Sequence, residues 1–483
     1  MILSRPSEPY QNQRYQFVTG RLASPAISAV VDELSIQHGF VHHIQILPIT
    51  VAALITPKWL RRHLEILHDQ IDAVFLPGYC KIAPDDPLTL SLQDRGIDII
   101  LGPNDCRQLP LWFGQSATPP DLTRQTIEII AEINHAPRMP VQRCVDIATG
   151  LIADGADRID IGCDPQQRCT RIADYVSAVR QLGVAVSIDS FDPAEVIDAV
   201  GAGADLVLSV NGTNCSSAID YGCEVVAIPD TPRDLDSLDR TIAFLTGNNI
   251  PLRIDPILEP IGSGLTDSIV RYHDVRRRYP DAAMMMGIGN LTELTDVDSA
   301  GVNFLLLGLC AELDVQSVLT TQVINWARTS VRECEVARRL VHYSVQNGVP
   351  PKRLCDSLIM LRDDRLTPMP SEMLDNLSDN LKDNNYRIFA QDETLRIISA
   401  GMDLADTDPF RLFETLLQQP QSDNVDASHA FYLGFELAKA MTALQLGKQY
   451  NQDQSLDWGM LTVPEDLHRI ARTSRHRSPD KDP

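Results

Sequence analysis

Six acid and amide residues recur at one place in a repeating pattern. Asn134 in AEIN, Asp160 in RIDIG, Asp189 in SIDS, Asn211 in SVNG, Asp255 in RIDP and Asn290 in GIGN each close a short apolar stretch and precede a helix-like one. In a barrel of alternating strands and helices all strands end at one mouth, so such residues gather there from distant sequence. Asp189, Asn211 and Asp255 combine two carboxylates with an amide. That set suits edge-on recognition of a flat ring with a donor pair on one edge and a mixed edge elsewhere, as in a 2-amino-4-oxo-pteridine. Asp255 is the candidate for the guanidine-like edge, with Asn211 and Asp189 on the remaining ring atoms. A strand-end Asp also caps a following helix, and Asp192 and Asn214 are read that way.

The elements that must position these residues follow from periodicity. Eight strand-like runs are counted: TIEIIAEIN, RIDIG, VAVSID, DLVLSVN, EVVAIPD, PLRIDP, AMMMGIG and NFLLLGL. Stretches with apolar residues three and four apart, such as RIADYVSAVRQLG, lie between them and read as helices. The expected fold is α/β, a (β/α)8 TIM barrel over 119–346, with Thr320–Val345 as its last helix running into a connector. Before it, 1–118 alternates strand and helix signals as a small α/β domain opened by a helix at Ser24-Pro25. Its Gly20, Gly78 and Gly102 close strands, where backbone amides can meet an anion. GQSATPPDLTR reads as a linker. Residues 347–470 form a mixed C-terminal module whose long helix ends at Gly447, with His429, Lys439 and Lys448 on or just after it, read as a solvated face, the alternative being a cover over the barrel mouth. The tail 471–483 reads as disordered.

Composition narrows the function classes. Lys and Arg total 42 against 65 Asp and Glu in 483 residues, a net charge of −23 that argues against nucleic acid or an anionic membrane as partner. No apolar run reaches the roughly 18 residues of a membrane span, and MILSRPSEPYQNQRYQ lacks a signal-peptide core, so a cytoplasmic protein is expected. The cysteines lack metal-binding spacing, and zincin, α/β-hydrolase and P-loop strings are absent. No metal ligand set is read, and no tightly bound cofactor is expected.

The strings GADRIDIG, VSIDSFDPAEVIDAVGAGADLVLSVNG and RIDPILEPIGSG resemble the pterin-binding family that contains dihydropteroate synthase and the methyltetrahydrofolate- and methyltetrahydromethanopterin-dependent methyltransferases. FVTGRLASPA, LPITVAALIT, AEINHAP and HAFYLGFELAKA with LGKQYNQD resemble dihydropteroate synthase-related proteins of bacteria that use tetrahydromethanopterin. The resemblance implies a pterin pocket of Asp189, Asn211 and Asp255, with Asn134, Asp160 and Asn290 as the catalytic candidates. It also implies one-carbon metabolism, with pterin and arylamine substrates joined through a hydroxymethyl-dihydropterin diphosphate. Mg2+ is an optional ion, and a homodimer is allowed by analogy. Two departures weigh against the synthase. GIGNLTE replaces its Ser-Arg-Lys string, and VVAIPDTP replaces its Met-His. The nearest cations are Arg168, in a loop, and Arg253, whose strand position turns it toward barrel layers or helices. Asn290 matches the methyltransferase branch, where an amide meets the pterin near N5. Transfer at N5 of a methyl-tetrahydropterin is therefore the alternative, and a non-catalytic pterin-binding subunit the alternative of another class.

Overall fold

Runs of Val, Ile, Ala and Phe bounded by Gly, Pro or Asp become short parallel strands, and amphipathic helices cover them. The computed structural model describes residues 2–3, 5–68, 70–115 and 120–465. Met1–Leu354 forms one unit and the residues from Cys355 onward a second. The expected disordered tail and the centre of the expected linker, 116–119, lie outside the described residues. The helix Ser330–Asn347 runs across position 346, where the sequence suggests the barrel's end.

The first sheet contains β1 (Ile2–Leu3), β2 (Arg14–Thr19), β3 (Val41–Ile46), β4 (Ala73–Leu76) and β5 (Asp98–Leu101). All are parallel, in the order β1-β5-β4-β2-β3. The helix Ser24–His38 has Ala23 at its cap, with no side-chain bond, so Ser24 and Pro25 occupy its first turn instead. The anion reading of the strand-end glycines fails at two of the three. Gly78 N donates to Pro103 O at 3.2 Å and Gly102 N to Leu76 O at 2.8 Å, so both amides are spent. Close approach explains the glycine: a Cβ on Gly78 would lie 2.5 Å from Gly102 O. Gly78→Ala is expected to cost ~1–3 kcal/mol, because the obstructing atom is backbone and cannot rotate away. An unchanged urea midpoint for that variant would reject the packing argument.

The second sheet carries β6 (Glu128–Ile133), β7 (Arg158–Gly162), β8 (Ala185–Asp189), β9 (Leu206–Val210), β10 (Glu224–Ala227), β11 (Leu252–Ile254), β12 (Met285–Gly287) and β13 (Ser317–Thr320). These eight parallel strands run in the order β11-β10-β9-β8-β7-β6-β13-β12, and a bridge between Ile254 and Met284 brings the two ends together. The barrel is as expected, but its eighth strand is not NFLLLGL. That run lies inside the helix Ser299–Glu312, and β13 follows it. Leu-rich runs lacking β-branched residues favour helix, and a helix that carries apolar residues on its exposed side as well, such as Leu305, lacks the polar stripe that would mark it.

Side chains inside the barrel form layers. At the base, Arg253 donates from Nη1 to Glu128 Oε2 at 2.6 Å and Ser317 Oγ at 3.0 Å, and from Nη2 to Glu224 Oε2 at 2.7 Å. Arg158 donates to Glu128 Oε1 at 2.9 Å and pairs with Asp205. Above this ionic base lies an apolar layer of Ile130, Leu206, Leu208, Val226 and Met285. Arg253 is thus a structural cation of the barrel floor. The polar strand ends sit above the apolar layer.

In the second unit, β14 (Arg387–Gln391), β15 (Thr394–Ser399) and β16 (Met402–Asp406) form an antiparallel meander. It packs on the helix Ala427–Leu446 through Ile388, Leu395, Ile397, Leu433 and Leu437, and Gly447 ends that helix in the left-handed conformation. Lys439 and Lys448 are not on a solvated face. Lys439 pairs with Glu436 and Glu465 at 2.9 Å, and Lys448 with Asp363 at 3.2 Å, both buried. Paired carboxylates let these lysines leave water, a tertiary effect that helical spacing does not reveal. No described helix is long and apolar enough to cross a membrane.

Candidate functional site at the barrel mouth

Register decides which strand-end residues meet. In parallel pairing Glu132 lies opposite Asp160, Asp160 opposite Ser187, and Gly162 opposite Asp189. Partners in register share a face, and this face looks into the barrel. The carboxylates of Glu132, Asp160 and Asp189 each bring one oxygen to within 4.8 Å of the others. Asp160 is completely buried; its Oδ1 accepts from Ser187 Oγ at 2.7 Å, while its Oδ2 has no partner among the described residues. Burial and the charges of Asp189 and Glu293 push Glu132 up to about 8. Burial, then Asp189 and Glu132, hold Asp160 well above the usual carboxylate range, and burial lifts Asp189 to about 6. Gly162 makes room for this group, since a Cβ there would stand 2.8 Å from Glu132 Oε1.

A second group forms across the mouth. Asp255 Oδ1 accepts from the Tyr272 hydroxyl at 2.6 Å and from Ile257 N at 2.7 Å. Burial raises its carboxyl to about 6, although those donors, the Gly287 amide and Arg271 pull the other way. Asn290 Nδ2 donates to Leu258 O at 3.1 Å. Gly287 separates the two side chains: a Cβ there would touch Asn290 Nδ2 at 3.4 Å and Asp255 Oδ2 at 3.8 Å.

The structure therefore unites Asp160 with Asp189, and Asp255 with Asn290. Asn211 closes β9 in a local turn. Its Oδ1 accepts from Thr213 N at 2.9 Å and Thr213 Oγ1 at 2.6 Å, so its carbonyl is spent within the turn. Asn214 braces that turn, accepting from Asn211 N at 2.9 Å, rather than capping a helix; Asp192 caps the helix Pro193–Gly201 through Ala194 N at 2.9 Å. Asn134 stands at the end of β6 with a buried Oδ1 that has no partner among the described residues. Glu132 was missed by the sequence reading. Its signal was present: an acid inside the apolar run IIAEI, two residues before Asn134 and hence on the same strand face.

Three of the arginines at this end are engaged by carboxylates. Arg138 donates to Asp164 at 2.6 Å, Arg168 lies 3.5 Å from Asp192, and Arg271 donates to Glu259 at 2.8 Å and to Ile257 O at 2.9 Å. No lysine occurs between Lys81 and Lys352.

Residues 136–238 match the family described as pterin binding enzyme, a span that holds Asp160, Asp189 and Asn211 and stops short of Asp255 and Asn290. Residues 13–105 match a family of unknown function, DUF6513. An uncharacterized protein of Methanocaldococcus jannaschii is 27% identical over 378 residues, covering 68% of this chain and 69% of that one. Among solved structures, the dihydropteroate synthase of Thermus thermophilus in complex with 6HMPPP is 19% identical, covering 46% of this chain and 94% of its own, with a TM-score of 0.36. The Xanthomonas albilineans dihydropteroate synthase in complex with 7,8-dihydropteroate is 20% identical, covering 47% and 96%, with a TM-score of 0.37. Within the barrel, residues 136–238 are thus similar to pterin-binding enzymes, in keeping with the resemblance of the strand-end strings.

Proposed function

We propose that the barrel mouth binds a pterin edge-on and that the protein transfers a one-carbon group at that pterin in tetrahydromethanopterin-dependent metabolism. Asp255 takes the donor pair of the guanidine-like edge, and Asp189 and the Asn211 amide nitrogen engage the remaining ring atoms. The observation that carries the reading is Asp255 itself. It is a buried carboxylate, with Oδ1 fixed by Tyr272 and Ile257 and Oδ2 turned toward Gly287 and Asn290.

Two reactions compete at such a site. Joining a hydroxymethyl-dihydropterin diphosphate to an arylamine must stabilise a departing diphosphate. Arg138, Arg168 and Arg271 are already engaged by carboxylates, which disfavours their use as that clamp. Methyl transfer from N5 needs no anion clamp. It needs a hydrogen bond or proton at N5, because the amine is otherwise a poor leaving group, and the placement of Asn290 beside Asp255 supports this reading. The synthase reaction is the second reading, favoured by the whole-chain strings.

Purified protein titrated with a methyl-tetrahydropterin, followed by fluorescence and by mass spectrometry of the demethylated product, tests the proposal. Absence of binding at ~1 mM, a millimolar Kd being worth only about 4 kcal/mol, would reject it. Supplying the diphosphate and an arylamine to the same protein tests the second reading. Asn290→Ala is expected to lower turnover ~5-fold, the worth of a net hydrogen bond near 1 kcal/mol, while pterin affinity stays within about twofold. Equal losses in both would argue against a role at N5.

A further inference from the structure

We propose that Glu132, Asp160 and Asp189 form a binding site for one hard divalent cation, of the Mg2+, Mn2+ or Ca2+ class, in the wall of the barrel mouth. Three observations carry it. First, the three carboxylates each present an oxygen within 4.8 Å of the others. Oxygens around one octahedral Mg2+ stand roughly 3.0 Å apart when adjacent and about 4.2 Å when opposite, and around Ca2+ slightly farther, so the spread fits a single ion.

Second, Asp160 Oδ2 is fully buried and no described donor reaches it. A buried carboxylate oxygen without a donor is costly unless a proton or a cation meets it. Among the described residues no cationic side chain serves it. Arg158, two residues earlier on β7, is occupied at the base by Glu128 and Asp205, and Ser187 Oγ serves Oδ1 alone. That serine fixes the orientation of Asp160, as supporting hydrogen bonds do around bound metals.

Third, the absence of a side chain at Gly162 leaves Glu132 its position: a Cβ there would lie 2.8 Å from Glu132 Oε1, which would have to shift. An all-oxygen, all-carboxylate set selects hard cations over zinc or copper. The inference does not rest on the pterin reading, because the three ligands are assembled by strand register; Asp189 is the one residue it shares with the proposed pterin pocket.

The test is Mn2+ binding to chelator-stripped, full-length protein, measured by calorimetry and by electron paramagnetic resonance of free Mn2+. One ion per chain is expected, with competition by Mg2+ and Ca2+. Glu132→Gln and Asp160→Asn should each weaken Mn2+ binding by at least ~10- to 100-fold, the loss seen when even supporting groups of metal sites are removed. Mn2+ should raise the melting temperature of the wild type and leave Glu132→Gln unmoved. Asp255→Asn, across the mouth, should keep the wild-type stoichiometry. Wild-type protein that takes up no Mn2+ at ~1 mM, the weak end of oxygen-ligand sites, overturns the proposal. So does binding that survives both substitutions. Should either variant fail to fold, the wild-type stoichiometry and the Asp255→Asn control still decide.

Discussion

Asp255→Ala is expected to weaken pterin binding by roughly 10- to 100-fold, the ~1.5–3 kcal/mol of a hydrogen bond to a charged partner. The alanine also strips the Tyr272 hydroxyl and the Ile257 amide of their acceptor, which adds a folding cost of its own. Asp255→Asn separates the two effects, because it keeps an acceptor for Tyr272 and loses only the charge. pH gives an independent reading. Burial lifts the Asp255 carboxyl to about 6, and the ionised form is the one that pairs with the ligand's donor edge. Wild-type affinity should therefore fall as pH drops below about 6, and the asparagine variant should lack that limb. Stability runs the opposite way. A carboxyl raised on folding contributes stability that is present below its unfolded value, near ~4, and is lost as pH rises through the folded one. Fluorescence titrations from acid to neutral pH that show parallel profiles for wild type and Asp255→Asn would remove Asp255 from the binding edge.

Arg253→Met should produce the largest loss of stability in the first unit. Arg253 ties Glu128, Glu224 and Ser317 together beneath the apolar layer. Removing one partner of a buried ion pair typically costs ~3–5 kcal/mol; here Glu224 loses its arginine and Glu128 keeps only Arg158. Glu128 and Glu224 keep about a quarter of their side-chain surface in water, so the lower end of that range applies. Combining Arg253→Met with Glu128→Gln and Glu224→Gln should recover much of the loss, since neutral groups no longer repel at the base. Urea unfolding is the measurement. A single variant within about 0.5 kcal/mol of wild type, the scatter of ordinary surface substitutions, would mean that the ionic layer does not hold the barrel floor.

The misplaced eighth strand and the missed Glu132 have different causes. NFLLLGL is apolar after Asn303, so neither the period of a strand nor that of a helix stands out, and its neighbours decide. They decide for helix, because β13 must lie between β6 and β12 to complete the sheet. Glu132 was legible by parity alone, two residues before Asn134 in AEIN. An isolated acid in an apolar strand acquires significance only when Asp160 and Asp189 stand beside it.

Local chemistry in the sequence determined that Asp160, Asp189, Asn211 and Asp255 would close parallel strands and face one mouth. β-branched runs, the two-residue alternation and the helices that follow leave little freedom there. Tertiary structure decided which of them meet. Strand register, a non-local pairing, brought Glu132 to Asp160 and Asp189, and the fold of the helix Leu265–Arg278 against β11 put the Tyr272 hydroxyl on Asp255. Residues along one strand share a face by covalent geometry, whereas neighbours across strands are chosen only when the whole barrel packs.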